Sequence, residues 1–323
     1  MILTFTPNPS VDATLTLPEP LAPGSVQRLS ALTHVAGGKG VNVAHAAHLA
    51  GHPALVLFPA GPQDPFVDLA ARESIPSLAV PMRARVRTNT TITQPDGTTT
   101  KLNGPGPTID AELRERLARA LVEAVREHDA PWVAMSGSLP PGVPMGWYGE
   151  LVALLRREAP ATRIAVDTSD AAMIALGRSF EAAAPHLIKP NGLELGQLVG
   201  ADGADLEARA DRGDYAPVIR AAREIVGQGV ESVLVTLGGA GAVLVTAEGA
   251  WKATPPPTTV VSTVGAGDSS LAGYLLAHIE GRAPDQCLRR AVAYGSAAAG
   301  LPGTTLPRPG QVDTERTRVT ALD

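Results

Sequence analysis

Asp268 closes the run Thr263-Val264-Gly265-Ala266-Gly267-Asp268, which leads straight into the apolar stretch Leu271 to Leu276. Small residues at 265–267 let a backbone approach a ligand closely. A helix beginning near Asp268 would aim its free amides and positive dipole end at the same place. The pattern predicts an anion hole for a phosphoryl group made by Gly265, Ala266 and Gly267. Asp268, held ionised by the same amides, is the candidate general base for an attacking hydroxyl. The plain alternative is a helix N-cap after a glycine turn.

Cations that could meet a phosphate are easily searched for. Of 27 basic residues only Lys39, Lys101, Lys189 and Lys252 are lysine. Lys39 lies in Gly37-Gly38-Lys39-Gly40-Val41-Asn42, before an apolar helix-like run; its ammonium offers a point charge, and Asn42 can donate and accept toward a polyol. Lys189 opens Lys189-Pro190-Asn191-Gly192-Leu193-Glu194. There Asn191 and Glu194 share a helix face and could hold a metal-bound water, although a cap explains Asn191 equally well. Arg83, Arg85 and Arg87 alternate, as on one face of a strand, and could clamp a phosphate bidentately or simply be solvated. Asp12, in Pro7-Asn8-Pro9-Ser10-Val11-Asp12, is a second hydroxyl acceptor or an ordinary Asx turn. Thr236-Leu237-Gly238-Gly239-Ala240-Gly241 follows one predicted strand and precedes another, so it matches neither GxGxxG nor a P-loop. It could lay nucleotide phosphates against bare backbone, or be a plain turn.

The elements that must carry these residues follow from period and punctuation. Strands are predicted at Ile2 to Thr6, Thr14 to Leu17 and Leu29 to Val35, and a threonine-rich hairpin from Thr88 to Leu102 around Pro95-Asp96-Gly97. Strand and helix then alternate: helix 110–127, strand 132–136, helix 145–158, strand 164–168, strand 186–189, helix 191–199, helix 216–227, strands 233–237 and 242–245. Further helices begin near Asp268 and Pro284. This rhythm implies an α/β fold with a mostly parallel sheet and helices on both faces, the hairpin and early strands forming a small β lid. Gly200 to Gly213 is expected as a surface excursion. Pro255-Pro256-Pro257 is expected as a rigid turn before further strand, and the tail after Pro307 carries no clear signal.

Composition excludes several other classes. The chain has 323 residues, 44% of them hydrophobic and 18% charged, which is ample for a large core. A formal charge of −5 and pI near 5.8 leave no broad positive field for nucleic acid. No uninterrupted apolar run suits a membrane span, and the N-terminus lacks a signal-peptide pattern, so a cytoplasmic location is expected. Cys287 is expected to be a buried structural thiol.

The set and order of the motifs resemble the ribokinase-like (PfkB) carbohydrate kinases over nearly the whole chain. The resemblance is carried by TPNPSVD (6–12), AGGKGVNVA (36–44), LNGPGP (102–107), SGSLPPG (136–142), IKPNGLEL (188–195), TLGGAGA (236–242) and TVGAGD (263–268). It implies one ribokinase-like three-layer kinase domain over residues 1–323, with a lid from about 13–36 and 86–103 that could also pair two copies. It implies Asp268 as base and ATP phosphates near Lys189, Asn191, Thr236, Gly238, Gly239, Gly241 and Gly267. Mg²⁺ would be ordered through Asn191 and Glu194, and the sugar would contact Asp12, Gly38, Lys39, Asn42 and Ser138. Arg87 falls where this branch places a phosphate-binding arginine, with Arg28 a second candidate. Lys39 and Arg87 would then grip the sugar's phosphate at the end remote from Asp268. The implied reaction is phosphorylation of fructose 1-phosphate at C6, with tagatose 6-phosphate or fructose 6-phosphate as alternative substrates. A silent sugar-phosphate sensor is the alternative of another class. Ser262 departs from the asparagine or aspartate usual before the signature threonine.

Overall fold

The structure is a computed structural model and describes residues 1–322. Its first strand, β1 (Ile2–Phe5), is buried at every position. An unbroken apolar run of this kind suits a strand covered by helices on both faces. β1 pairs in parallel with β4 (Ala54–Pro59) on one side and β8 (Trp132–Ser136) on the other, with Phe5 opposite Leu57 and Met135. Beyond β4 lies β5 (Ser77–Val80), and beyond β8 come β9 (Arg163–Asp167), β10 (Leu187–Ile188) and β11 (Ser232–Thr236), all parallel. Three antiparallel strands finish the ten-stranded sheet: β12 (Ala242–Thr246), β13 (Gly249–Thr254) and β14 (Arg318–Leu322).

A separate four-stranded sheet is built from β2 (Ser10–Thr16), β3 (Ala31–Gly37), β6 (Arg87–Thr93) and β7 (Thr99–Asn103), in the order β3-β2-β6-β7. It contains both arms of the predicted threonine hairpin. Its register places Asp12 beside Asn89 and Ser10 beside Arg87, which gathers polar side chains on adjacent strands.

Helices flank the large sheet. On one face α1 (Lys39–Leu49) packs on β1 and on the penultimate helix, Ala266–Ile279, which in turn lies along Pro284–Ala299. The intervening helices are α2 (Pro65–Arg72), α3 (Ala111–Glu127), α4 (Trp147–Glu158), α5 (Asp170–Gly177), α6 (Phe180–Ala183), α7 (Gly192–Val199), α8 (Gly203–Asp211) and α9 (Ala216–Gly227). The pair above is therefore α10 and α11. Asp110 caps α3 by accepting from the Leu113 amide, and Asp64 caps α2 by accepting from Phe66. Phe5 meets Trp147 edge-on at 5.5 Å, tying β1 to α4 through the core. No helix of the described residues is long and apolar enough to cross a membrane.

Several local expectations change. Gly200 to Gly213 is largely the helix α8, which buries Leu206 and Ala210; a capped amphipathic turn outweighed its polar composition. Arg83 and Arg85 sit in an irregular exposed segment, so only Arg87 is on a strand. No strand follows the triple proline at once; the strand, β13, precedes it, because proline cannot donate to a ladder. The tail contributes β14, where pairing with β13 supplies what local pattern lacks. Cys287 is buried, with its thiol pushed up to about 12 by burial.

At the N-terminal edge of the sheet, His186 Nδ1 accepts from the Ile164 amide, and burial lowers the imidazole to about 4. A folded-state value below the unfolded value of 6.5 means that the unfolded chain binds more protons between them. The contribution of His186 is thus complete above about pH 6.5 and is lost as the pH falls toward 4. Thermal melts should show Tm declining through that window, and His186→Asn, which keeps an acceptor but cannot titrate, should shallow the decline.

Candidate active site

The parallel strands end on one edge, and the sequence after each end turns toward a common crevice beside β1 and β8, where the strand order reverses. At its floor lies Asp167, the last residue of β9, fully buried. Lys39 Nζ donates to Asp167 Oδ1 at 3.0 Å, and Lys189 Nζ stands 3.2 Å from Oδ2, within ion-pair range though not aligned as a hydrogen bond. One carboxylate thereby joins the first residue of α1 to the residue after β10. Burial alone would raise Asp167, but the two lysines outweigh it and hold the carboxyl below its usual range. Burial likewise disfavours the Lys39 charge, yet Asp167, Asp268 and Glu194 together raise the ammonium well above its ordinary value.

Asp268 is the third residue of α10. The helix starts at Ala266 because Gly265 adopts a left-handed backbone, φ 77°, that favours glycine. The amides of Gly267 and Asp268 take no backbone acceptor, leaving donors open at the helix mouth. A Cβ on Gly267 would lie 3.1 Å from Lys189 Nζ, so this ammonium faces the same opening. Asp268 Oδ2 accepts from Asn42 Nδ2 at 2.7 Å. Its carboxyl is raised to about 6 by burial and then by Asp167, against the pull of Lys39, Asn42 and Lys189. Desolvation and a like charge thus set its proton affinity, which still leaves the carboxyl mostly ionised at neutral pH.

On the small-sheet side Asp12 Oδ1 accepts from Ser10 Oγ at 2.7 Å and from Asn89 Nδ2 at 3.2 Å. Burial raises its proton affinity, while Arg87 and Lys101 act the other way. Arg87 donates to the Gly104 carbonyl at 2.9 Å and keeps a buried Nε without a partner. Asn8, also buried, donates to the Pro105 carbonyl and to Ser138 Oγ, stitching the loop 102–107 to the end of β8. Gly38 caps the start of α1, where Thr4 Oγ1 donates to the Gly40 carbonyl.

On the other side Asn191 caps α7: its Oδ1 accepts from the Glu194 amide, and Glu194 Oε2 accepts from the Asn191 amide. The Thr236 amide donates to the Pro190 carbonyl, which sets the turn Gly238–Ala240 and Gly241 beside this cap. The turn needs glycine at 241, where φ is 89° and a Cβ would meet the Ala253 carbonyl at 2.0 Å. Asn191 Oδ1 thus caps the helix with one of its two lone pairs. The described residues contain no group of three or more His, Cys, Asp or Glu suited to a metal. This donor set fits a magnesium ion carried by nucleotide phosphates and met through water by the free Glu194 oxygen.

The structure therefore gathers Lys39, Asn42, Lys189 and Asp268 in one cluster, Asp12 and Arg87 in a second, Ser138 between them, and Asn191, Glu194, Thr236 and the glycine turn in a third. Lys39 stands with Asp167 and Asp268, in a different cluster from Arg87. Arg28 lies exposed in the loop before β3, and none of its hydrogen bonds or ion pairs joins it to these clusters. Asp167, Asn8 and Asn89 escaped sequence reasoning. A lone acid ending the apolar run Ile164-Ala165-Val166 was a readable signal for the first.

Open helix-start amides, a buried carboxylate of near-neutral proton affinity and two lysines define a phosphotransferase site on an α/β fold. The chain belongs to the pfkB family of carbohydrate kinases, whose model matches residues 6–310. It is 35% identical over 321 residues to the 1-phosphofructokinase of Haloferax volcanii, covering 99% of this chain and 97% of that one. It is 36% identical over 311 residues to the 1-phosphofructokinase of Rhodobacter capsulatus, covering 95% and 93%. The crystal structure of phosphofructokinase-2 from Escherichia coli in complex with substrates and products superposes with a TM-score of 0.84 at 31% identity, covering 96% of each chain. The protein is a sugar-phosphate phosphotransferase of ribokinase-like fold.

The Asn42 hydrogen bond holds Asp268 below the value that burial alone would set. Asn42→Ala should therefore raise the Asp268 carboxyl above about 6. A ¹³C carboxyl titration by NMR reads this directly, and an unchanged midpoint would remove Asn42 from the network.

Proposed function

We propose that this chain transfers the γ-phosphoryl group of ATP to the C6 hydroxyl of fructose 1-phosphate, giving fructose 1,6-bisphosphate and ADP. The observation that carries the reading is Asp268 at the mouth of α10: a buried carboxylate with a proton affinity near neutrality, beside open amides and two lysines. Fructose 1-phosphate is the substrate named by the relatives' activity, 1-phosphofructokinase, over nearly their whole length.

In this reading Asp268 takes the C6 hydroxyl proton as the new O–P bond forms and the bond from γ-phosphorus to the ADP oxygen breaks. The amides of Gly267 and Asp268, with Lys189, offset charge on the transferring oxygens, and Lys39 does the same from α1. With a loose transition state, such positioning supplies most of the acceleration. Magnesium bound to the nucleotide would neutralise charge on the β- and γ-phosphates. Asp12 accepts from a sugar hydroxyl, Ser138 and the Gly38 backbone line the sugar, and Arg87, with its unpartnered Nε, takes the existing phosphate. The Asn191–Glu194 cap and the Gly238–Gly241 turn border the nucleotide phosphates. The small sheet acts as a lid that keeps water from the γ-phosphate. Its outward strand positions Leu32 and Leu102, 52% and 57% exposed, suit pairing with a second copy.

Fructose 6-phosphate is the second reading, favoured by the superposition on phosphofructokinase-2. A coupled ADP-release assay across fructose 1-phosphate, fructose 6-phosphate and tagatose 6-phosphate separates the two by kcat/KM. With the preferred sugar, kcat should rise through about pH 6 as Asp268 loses its proton. Asp268→Asn should lower kcat by about 10²- to 10⁴-fold with KM little changed. Wild-type turnover in that variant would refute the base. Arg87→Ala should chiefly raise KM for the sugar phosphate, whereas Lys39→Ala should depress kcat as well; equal effects on KM alone would return Lys39 to the remote end.

A further inference from the structure

Asp167 belongs to none of the motifs quoted above from the sequence, yet among the described residues it is the one carboxylate ion-paired with both lysines of the site. Its carboxylate is fully buried at the end of β9. Taking such a charge out of water costs several kcal/mol unless it is paired. Here it is paired twice, with partners from opposite sides of the crevice. Lys39 begins α1, directly after the small sheet, and Lys189 follows β10, on the side of the nucleotide turn. Lys189 Nζ also faces Gly267 at the open amides of α10. Both ammonium groups therefore stand close to Asp268, Lys39 from α1 and Lys189 after β10.

We propose that Asp167 is a positioning residue for phosphoryl transfer, holding Lys39 and Lys189 from beneath so that both stand at fixed places beside Asp268. Neither lysine has another carboxylate within ion-pair distance among the described residues, so without Asp167 neither ammonium keeps a paired anion to fix its place. The same carboxylate acts on Asp268 itself. The groups facing Asp268 are Asn42 and Lys39 from α1, Asp167 from β9 and Lys189 after β10, with Glu194 of α7 acting on Lys39. Asp167 is the one anion among the groups acting directly on Asp268, and it raises the carboxyl against both cations.

The proposal rests on the kinase reading with Asp268 as base, and the test separates the two. The kcat-pH profile with MgATP and fructose 1-phosphate is measured for the wild type, Asp167→Asn and Lys189→Met. The wild type should show an acid limb near pH 6. Asp167→Asn should lower kcat about 100-fold through misplaced lysines and shift the limb down by about one pH unit. Lys189→Met, which removes a cation, should shift it up. A purely structural Asp167 would lower Tm while leaving kcat per folded molecule and the limb in place, and that result overturns the proposal. If Asp167→Asn does not fold, Asp167→Glu keeps the charge and moves it by one methylene; kcat should fall at least about tenfold with the limb near its wild-type position, and a native kcat overturns the proposal. A wild-type profile without the limb rejects Asp268 as base and the proposal with it, whereas a limb that Asp167→Asn leaves unmoved overturns the proposal alone.

Discussion

A carboxylate buried at the end of a central strand must find cations or lose its charge, and at Asp167 it finds two. That requirement links the parts of the site. Lys39 reaches Asp167 only if α1 starts where it does, which depends on the Gly38 cap and on Thr4 of β1 holding the Gly40 carbonyl. Lys189 reaches it only if β10 ends at Ile188, which the parallel register between β9 and β11 enforces. The resulting pair of cations keeps a second acid, Asp268, ionisable near neutrality although it is buried.

The scaffold divides the work between a stiff sheet edge and a sheet apart from it. The central strands are buried along nearly their whole length and present Asp167, Lys189 and Thr236 from consecutive strand ends, a placement that close packing makes hard to deform. The four-stranded sheet carries Asp12, Asn89 and Arg87 on mostly half-buried strands, with threonines in place of a core. Elements of few apolar contacts open most cheaply, which suits one that must admit a sugar phosphate. Asn8 ties loop 102–107 to the strand end that carries Ser138, so the two parts meet through a buried amide whose oxygen stays unpartnered.

Much of this was legible locally. The helix starts at Asp110, Asn191 and Pro284, the limits of β8 and α9, and the hairpin around Pro95-Asp96-Gly97 follow from caps, period and turn chemistry, which act over a few residues. The elements that departed from expectation depend on distant partners. β14 exists by pairing with β13, α8 by packing Leu206 and Ala210, and Arg83 and Arg85 left the strand because no neighbour pairs them.

By itself the sequence determined the α/β class, the motifs and the residue types that phosphoryl transfer needs, because each is written in contiguous residues whose order can be compared with a family. Only the tertiary structure decided which of those residues act together. It brought Lys39 to Asp167 and beside Asp268, set the Asn191 oxygen on a helix cap, and left Arg28 in an exposed loop. It also revealed Asp167, whose importance lies in contacts 128 residues away in the chain to Lys39 and across the strand order to Lys189. The physical reason is range: caps and turns are settled within a few residues, whereas the charge state of a buried carboxylate depends on whatever the fold sets against it.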